Sequence, residues 1–375
     1  MKNSDFDVVR LMTTVFRPKP RERVGVFIDL EDPKEVQGAK FMQPGNHATR
    51  RIAYEVFYRG LIERQGELPF ADVEFYAYEP TGGSNLDLPA TVVDLKGRTL
   101  RLVEDVLSQL NIVLYLTTFS ATAPLTALAK KMGFRGATMH GCNETILRTG
   151  LARDYEEVSA KAERFRQALT RCDDVVLEFD TLGRSYRLTL GLGRQEAQKS
   201  HGLCHVPGEI ANLPAGEIYW VPTEANGQFP MKFKEDGTLA VMDVAGLRIR
   251  QATLLRGSAA TVQHALALFQ ADPATGQLGE LGLGTQVLPV AGADIQDEKI
   301  LGTVHVATGR DDHLGGHLDP GKFKDKKHAT HEDILFAPHK TPEINLNGAW
   351  MHKDGKEVLL IKDYQPTEFV KRVAL

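Results

Sequence analysis

The hydrophobic pattern changes period part-way along the chain. In the first half, compact apolar runs alternate with longer segments of helical spacing. RVGVFIDL (Arg23–Leu30), DVEFYAYE (Asp72–Glu79) and NIVLYLTTF (Asn111–Phe119) are short, rich in β-branched and aromatic residues, and read as strands. Between them, HATRRIAYEVFYRGLIERQG (47–66) and RTLRLVEDVLSQL (98–110) place apolar residues at helical spacing. APLTALAKKMGFRG (123–136) reads as a helix stopped by glycine, and the segment from Asn143 to Cys172 as helical. Strands alternating with helices predict a parallel sheet covered on both faces.

From about Arg184 the period falls to two. SYRLTLGLG (185–193), EIYWVPTE (217–224), LAVMDVAGLRIRQATLL (239–255) and KILGTVHVATG (299–309) alternate apolar and polar positions and are separated by Gly, Pro and Asn. That pattern predicts a mostly antiparallel, β-rich region with one helix near SAATVQHALALFQ (258–270). The expected architecture is therefore α/β plus α+β. A parallel-sheet α/β domain over 1–195 precedes a mostly antiparallel, β-rich domain over 196–375, with candidate joints at Pro18–Arg23 and Arg184–Lys199. A length of 375 residues supports two domains, because single cores stop growing below that size.

Composition narrows the class. A net charge of −4 argues against nucleic-acid and membrane-surface partners. No apolar run is long enough to span a bilayer, and the N-terminal residues lack the apolar core of a signal peptide. Cys142, Cys172 and Cys204 form no CxxC pair, which disfavours a disulfide framework or a thiolate zinc site and suits a cytoplasmic protein. No GxGxxG or GxxxxGK[ST] loop follows a predicted strand, so a nucleotide site has little support.

The chemistry concentrates between Leu301 and Phe336, which hold His305, His313, His317, His328 and His331, five of the chain's 12 histidines. Carboxylate oxygen and neutral imidazole nitrogen are the usual ligands of divalent metals in hydrolases. Glu217 opens a strand after a Pro-Ala-Gly turn, Glu280 is flanked by glycines in GELGLGT, and His305 lies inside an apolar strand. Two H-x-D triplets follow, His317-Leu318-Asp319 and His331-Glu332-Asp333, and on an extended segment each points both side chains to one face. Each residue also has a purely structural reading. A glutamate after a turn can be solvated, His305 can be a satisfied core histidine, and GKFKDKKHA (321–329) reads as a solvated loop. His264 reads as packing within its helix, and Cys204-His205 lacks a partner motif for nucleophilic catalysis. The candidates share one domain, each near a strand–turn junction, and this weighs against the structural readings taken together.

NLPAGEIYWVP (212–222), GELGLGT (279–285), DEKILGTVHVATG (297–309) and HEDILF (331–336) followed by NGAWMHKDG (347–355) resemble, in order and rough spacing, the thermophilic metalloaminopeptidase family of the aminopeptidase T type. Dihydroxypyridine dioxygenase-like enzymes are similar to the same scaffold. The resemblance covers most of residues 200–365 by motif, and the first 195 residues only in general pattern. It implies a homodimeric two-domain enzyme with two divalent ions (zinc, cobalt or manganese) that removes N-terminal amino acids from peptides. By the same resemblance the metal ligands are Glu217, Glu280, His305, His331 and Asp333, with Glu280 also catalytic. The second H-x-D triplet is chosen because it runs into the apolar ILF, as the family's does. The family's metal-binding tyrosine corresponds to Asp312, a departure that leaves two alternatives. One is a ring-cleaving dioxygenase with a single non-haem Fe(II), which would carry a histidine near Glu280. The other is a non-catalytic peptide-binding homologue in a biosynthetic pathway.

Overall fold

The computed structural model describes residues 6–43 and 48–374. It is a mixed α/β protein with one parallel-containing sheet and two antiparallel sheets. The chain forms two compact units and passes between them repeatedly. One comprises residues 1–159, 201–215 and 291–296; the other comprises 160–200, 216–290 and 297–375.

The first unit is built on seven strands, β1 (Arg23–Asp29), β2 (Asp72–Tyr78), β3 (Thr91–Asp94), β4 (Thr99–Arg101), β5 (Ile112–Tyr115), β6 (Arg135–Thr138) and β10 (Ile210–Asn212). Their spatial order is β10-β6-β5-β1-β2-β3-β4. The pairs from β10 to β2 are parallel and those from β2 to β4 antiparallel. β1 sits mid-sheet and is buried from Val24 to Asp29, as a continuous apolar run requires. The helix expected near 123–136 spans Thr122–Met132 and ends at Gly133, whose φ of 85° is left-handed and whose N–H reaches the Ala129 carbonyl. The expected helix over 47–66 is observed from Ala48 to Glu63, with a π-helical stretch at Ala53–Arg59; His47 lies outside the described residues. Residues 98–110 depart from expectation. Thr99–Arg101 is drawn into the sheet edge beside β3, so only Leu102–Gln109 remains helical.

The second unit packs two antiparallel sheets. Eight strands form the larger one: β7 (Asp174–Thr181), β8 (Arg184–Gly191), β12 (Glu224–Lys232), β13 (Leu239–Ala245), β14 (Arg248–Arg256), β18 (Asn345–Lys353), β19 (Lys356–Lys362) and β20 (Gln365–Pro366). The smaller has the order β17-β16-β15-β11-β9, from β9 (Gln198–Ser200), β11 (Glu217–Trp220), β15 (Leu278–Gly284), β16 (Val304–Gly309) and β17 (His331–Phe336). A single boundary at 195 does not describe this arrangement. β7 and β8 precede that point yet pair into the larger antiparallel sheet, while β10 follows it and completes the parallel one. Phe336 of β17 packs against Phe179 and Phe229 of the larger sheet, with ring centroids 4.6 and 6.4 Å apart. The predicted helix near 258–270 is present at Ala259–Ala271, capped by Ser258. His264 is exposed on it rather than packed.

Candidate metal centre

The strand register of the smaller sheet explains how residues distant in sequence meet. Residues directly opposed across an antiparallel pair share a face, and alternate residues along a strand share it too. Glu217 opposes Gly284, Gly282 opposes His305, Glu280 opposes Ala307, Ala307 opposes Asp333, and Gly309 opposes His331. All five expected ligands therefore lie on one face. Their neighbours on that face include Gly282, Gly284, Ala307 and Gly309, which leave room. The other face carries Ile218, Trp220, Leu281, Leu283, Val304, Val306, Ile334 and Phe336, all in the hydrophobic core of this unit. Burial of that apolar set fixes the register, because a one-residue slip would drive the charged set into the core.

Two glycines have a geometric reason. A Cβ on Gly282 would lie 2.1 Å from His305 Cε1, so the imidazole occupies the space a side chain would take. A Cβ on Gly284 would meet the Ile300 carbonyl oxygen at 2.2 Å, so its absence lets segment 299–300 lie on β15.

Glu280 is the centre of the cluster. Its Oε1 is 3.4 Å from His305 Nε2, and its Oε2 is 3.0 Å from His331 Nε2. His331 Nε2 is 3.3 Å from Asp333 Oδ1, and Glu217 Oε2 is 3.8 Å from His305 Nε2. The potential ligand atoms of Glu217, Glu280 and His305 all lie within 4.8 Å of one another, as do those of Glu280, His331 and Asp333. Every member but Asp333 is buried. Burial alone would push the Glu280 carboxyl up, but hydrogen bonds to His305 and His331 hold it down at about 2. Burial likewise disfavours a charged His305, yet the Glu280 carboxylate raises its pKa to about 10.

This donor set fits a divalent cation. It combines carboxylate oxygens with imidazole nitrogens, and Glu217 Oε2 is buried without a hydrogen-bond partner among the described residues.

The remaining candidates take other places. His317 and Asp319 are exposed, and the Asp319 side chain accepts from the Gly321 N–H. Asp312 joins neither group. Arg310 Nε and Nη2 donate to its two oxygens at 2.7 and 3.2 Å. Its neighbour His313 instead turns inward, edge-on to His331 with ring centroids 5.0 Å apart, and burial lowers its pKa. Asp272 holds the lysine-rich loop by accepting from the Lys324 N–H and bonding His328 Nδ1, while Lys322, Lys324, Lys326 and Lys327 are exposed. The three cysteines are free and buried.

Sequence reasoning missed Glu298 and Lys299. Lys299 Nζ donates to Glu217 Oε1 at 2.6 Å and to Glu298 Oε1 at 2.5 Å, with the lysine side chain 1% exposed. Burial raises the Glu298 carboxyl to about 7 despite that ammonium, with Asp333 and Glu217 adding to the rise. Both residues stand in the DEK that opens DEKILGTVHVATG, but no periodic signal aims their side chains at the cluster.

No family model matches this sequence, and no curated protein matches it. Two solved structures share the fold over nearly the whole chain. The 2,5-dihydroxypyridine dioxygenase from Pseudomonas putida KT2440 is 14% identical with a TM-score of 0.61, covering 96% of this chain and 97% of the other. Wild-type AmpT from Thermus thermophilus is 12% identical with a TM-score of 0.52, covering 96% and 98%. At these identities the likeness concerns the fold. Among the described residues no helix is long and apolar enough to cross a membrane.

Proposed function

We propose that the chain is a metal-dependent aminopeptidase that releases N-terminal amino acids from peptides, with Glu217, Glu280, His305, His331 and Asp333 as its metal-binding set. The carrying observation is the composition of the two overlapping groups, each with two carboxylates and one imidazole around the shared Glu280. Oxygen-rich sets of this kind suit hydrolytic ions, whereas a non-haem Fe(II) oxygenase uses two histidines and one carboxylate. When bound, a divalent ion supplies Lewis-acid polarisation of the scissile carbonyl and a water of lowered pKa. The chain's own residues do the rest. Glu280 accepts the proton released from the attacking water, and its bonds to both histidines hold its oxygens in place. His331 presents Nε2, and Asp333 fixes the outer side of the group. Homodimerisation in the cytoplasm belongs to the same reading.

One observation favours a second reading. His313 places another imidazole against His331, so a turned His313 would complete a two-histidine, one-carboxylate face for iron. A single assay separates the two. Full-length protein purified without chelator is offered aminoacyl p-nitroanilides and dipeptides, before and after chelation and with zinc, cobalt or manganese restored. Metal-dependent release of the N-terminal residue supports the peptidase. No release under any metal, with Fe(II)-dependent oxygen consumption on a dihydroxypyridine, replaces it with ring cleavage.

A further inference from the structure

Lys299 is built into the cluster against Glu217, and its placement makes the two metal groups unequal. It is delivered by a fixed segment: the Gln286 N–H donates to the Lys299 carbonyl at 2.9 Å, and Gly284 lets that segment lie close. Its ammonium spans Glu217 and Glu298 and is sealed from water. Glu217 is thus left with Oε2 alone for an ion. Among the described residues the other donors of its group are His305 and Glu280, and Glu280 is shared with His331 and Asp333. An ion there would also sit beside a buried positive charge. At an effective dielectric of about 20 that repulsion is roughly four times stronger than in water. Among the described residues, Lys299 bonds neither His331 nor Asp333 nor Glu280 of the other group. Asp312, on the adjoining loop, is held by Arg310.

We propose that Lys299 stands in for the second metal, so that the chain retains one divalent ion, on Glu280, His331 and Asp333, while the Glu217–His305 position stays weak. This rests on the metal-binding reading given above and sharpens it to a single-ion enzyme in which Lys299 is a positioning residue for Glu217.

The test counts metal rather than turnover. Full-length protein is loaded with excess zinc or manganese, desalted, and assayed for metal per chain, with folding followed by thermal melting. The native protein should retain one equivalent, and Lys299→Met should retain a second. Glu217→Gln should keep the single equivalent, and Asp333→Asn should lose it. Two equivalents retained by the native protein overturn the proposal. So does a folded Lys299→Met that still retains one, or a Glu217→Gln that loses its ion as Asp333→Asn does. If Lys299→Met does not fold, the native count and the Glu217/Asp333 pair decide. One ion without peptidase activity overturns the hydrolytic reading and leaves this inference standing. Two ions with peptidase activity do the reverse, and a native protein that retains none overturns both.

Discussion

His331 Nδ1 donates to the backbone carbonyl oxygen of Arg310 at 2.7 Å, and that bond decides what the other ring nitrogen can do. A carbonyl only accepts, so the proton on Nδ1 is fixed and Nε2 is directed at Glu280 and Asp333. An imidazole anchored in this way is oriented before any ion arrives, which lowers the entropy cost of ligation. His317, in the other triplet, is exposed. His331→Ala should therefore lower metal affinity and turnover by at least about 100-fold, more than the usual loss of an outer-shell partner. The double variant His317→Ala/Asp319→Asn should bind metal as the native protein does. Equal losses in the two variants, by metal titration, would remove the distinction between the triplets.

Glu280→Gln keeps the side-chain volume but removes the charge that faces both histidines. A rate loss of roughly two to four orders of magnitude is expected, the range for a lost general base. Its folding is checked by thermal melting, because losing a buried carboxylate that faces two imidazoles also lowers stability. Undiminished hydrolysis of an aminoacyl substrate by this variant would take Glu280 out of the mechanism.

Asp312 stands at the position where the resembled family carries a metal-binding tyrosine, and here it pairs with the buried Arg310 guanidinium. Asp312→Ala should leave retained metal unchanged and destabilise the fold by about 1.5–3 kcal/mol, the scale for a hydrogen bond to a charged group. Metal analysis and a denaturant melt on the same preparation check both halves. Loss of metal without loss of stability would make Asp312 a ligand after all.

The family resemblance singled out the candidate ligands, and strand alternation explains why they share one face. In VHVATG every second residue, Val304 and Val306, is core, which leaves His305 on the opposite face; HEDILF places His331 and Asp333 together by the same rule. Gly282 was legible as a glycine beside a carboxylate, though not the imidazole that fills its place. Lys299 was not legible, since a lysine next to a glutamate ordinarily reads as solvated and only a non-periodic turn carries it inward. The crossings between units escaped for a related reason. β9 and β10 are three residues each, too short for a period to show, and β10 pairs with β6 far back along the chain.

Gly282→Ala tests the steric half of the centre. The new methyl would lie 2.1 Å from His305 Cε1, so the ring must shift. Overpacking of this kind costs about 1–3 kcal/mol. Gly66→Ala is the control. Its added Cβ meets nothing within 4 Å and its backbone is not left-handed, so a change within about 0.5 kcal/mol is expected. A neutral Gly282→Ala, measured by urea unfolding, would show that His305 can move freely.

The last prediction concerns pH and lies away from the metal centre. His352 on β18 bridges its neighbours on both sides, with Nδ1 2.6 Å from Asp174 Oδ1 on β7 and Nε2 3.1 Å from Glu357 Oε1 on β19. The Glu357 and Asp174 carboxylates raise its pKa above the ordinary 6.5, outweighing burial. A histidine whose pKa is higher in the folded than in the unfolded state binds its proton more tightly when folded. Its contribution is therefore complete below about 6.5 and disappears as pH rises through the folded-state value. His352→Gln should lower stability clearly at pH 5.5 and hardly at pH 9.5, where the native ring is neutral. The partial exposure of all three side chains keeps the effect modest and makes it shrink in high salt. Urea melts of both proteins at the two pH values check the sign: a larger loss at pH 9.5 than at pH 5.5 would mean that the ring holds the strands together by packing and not by charge.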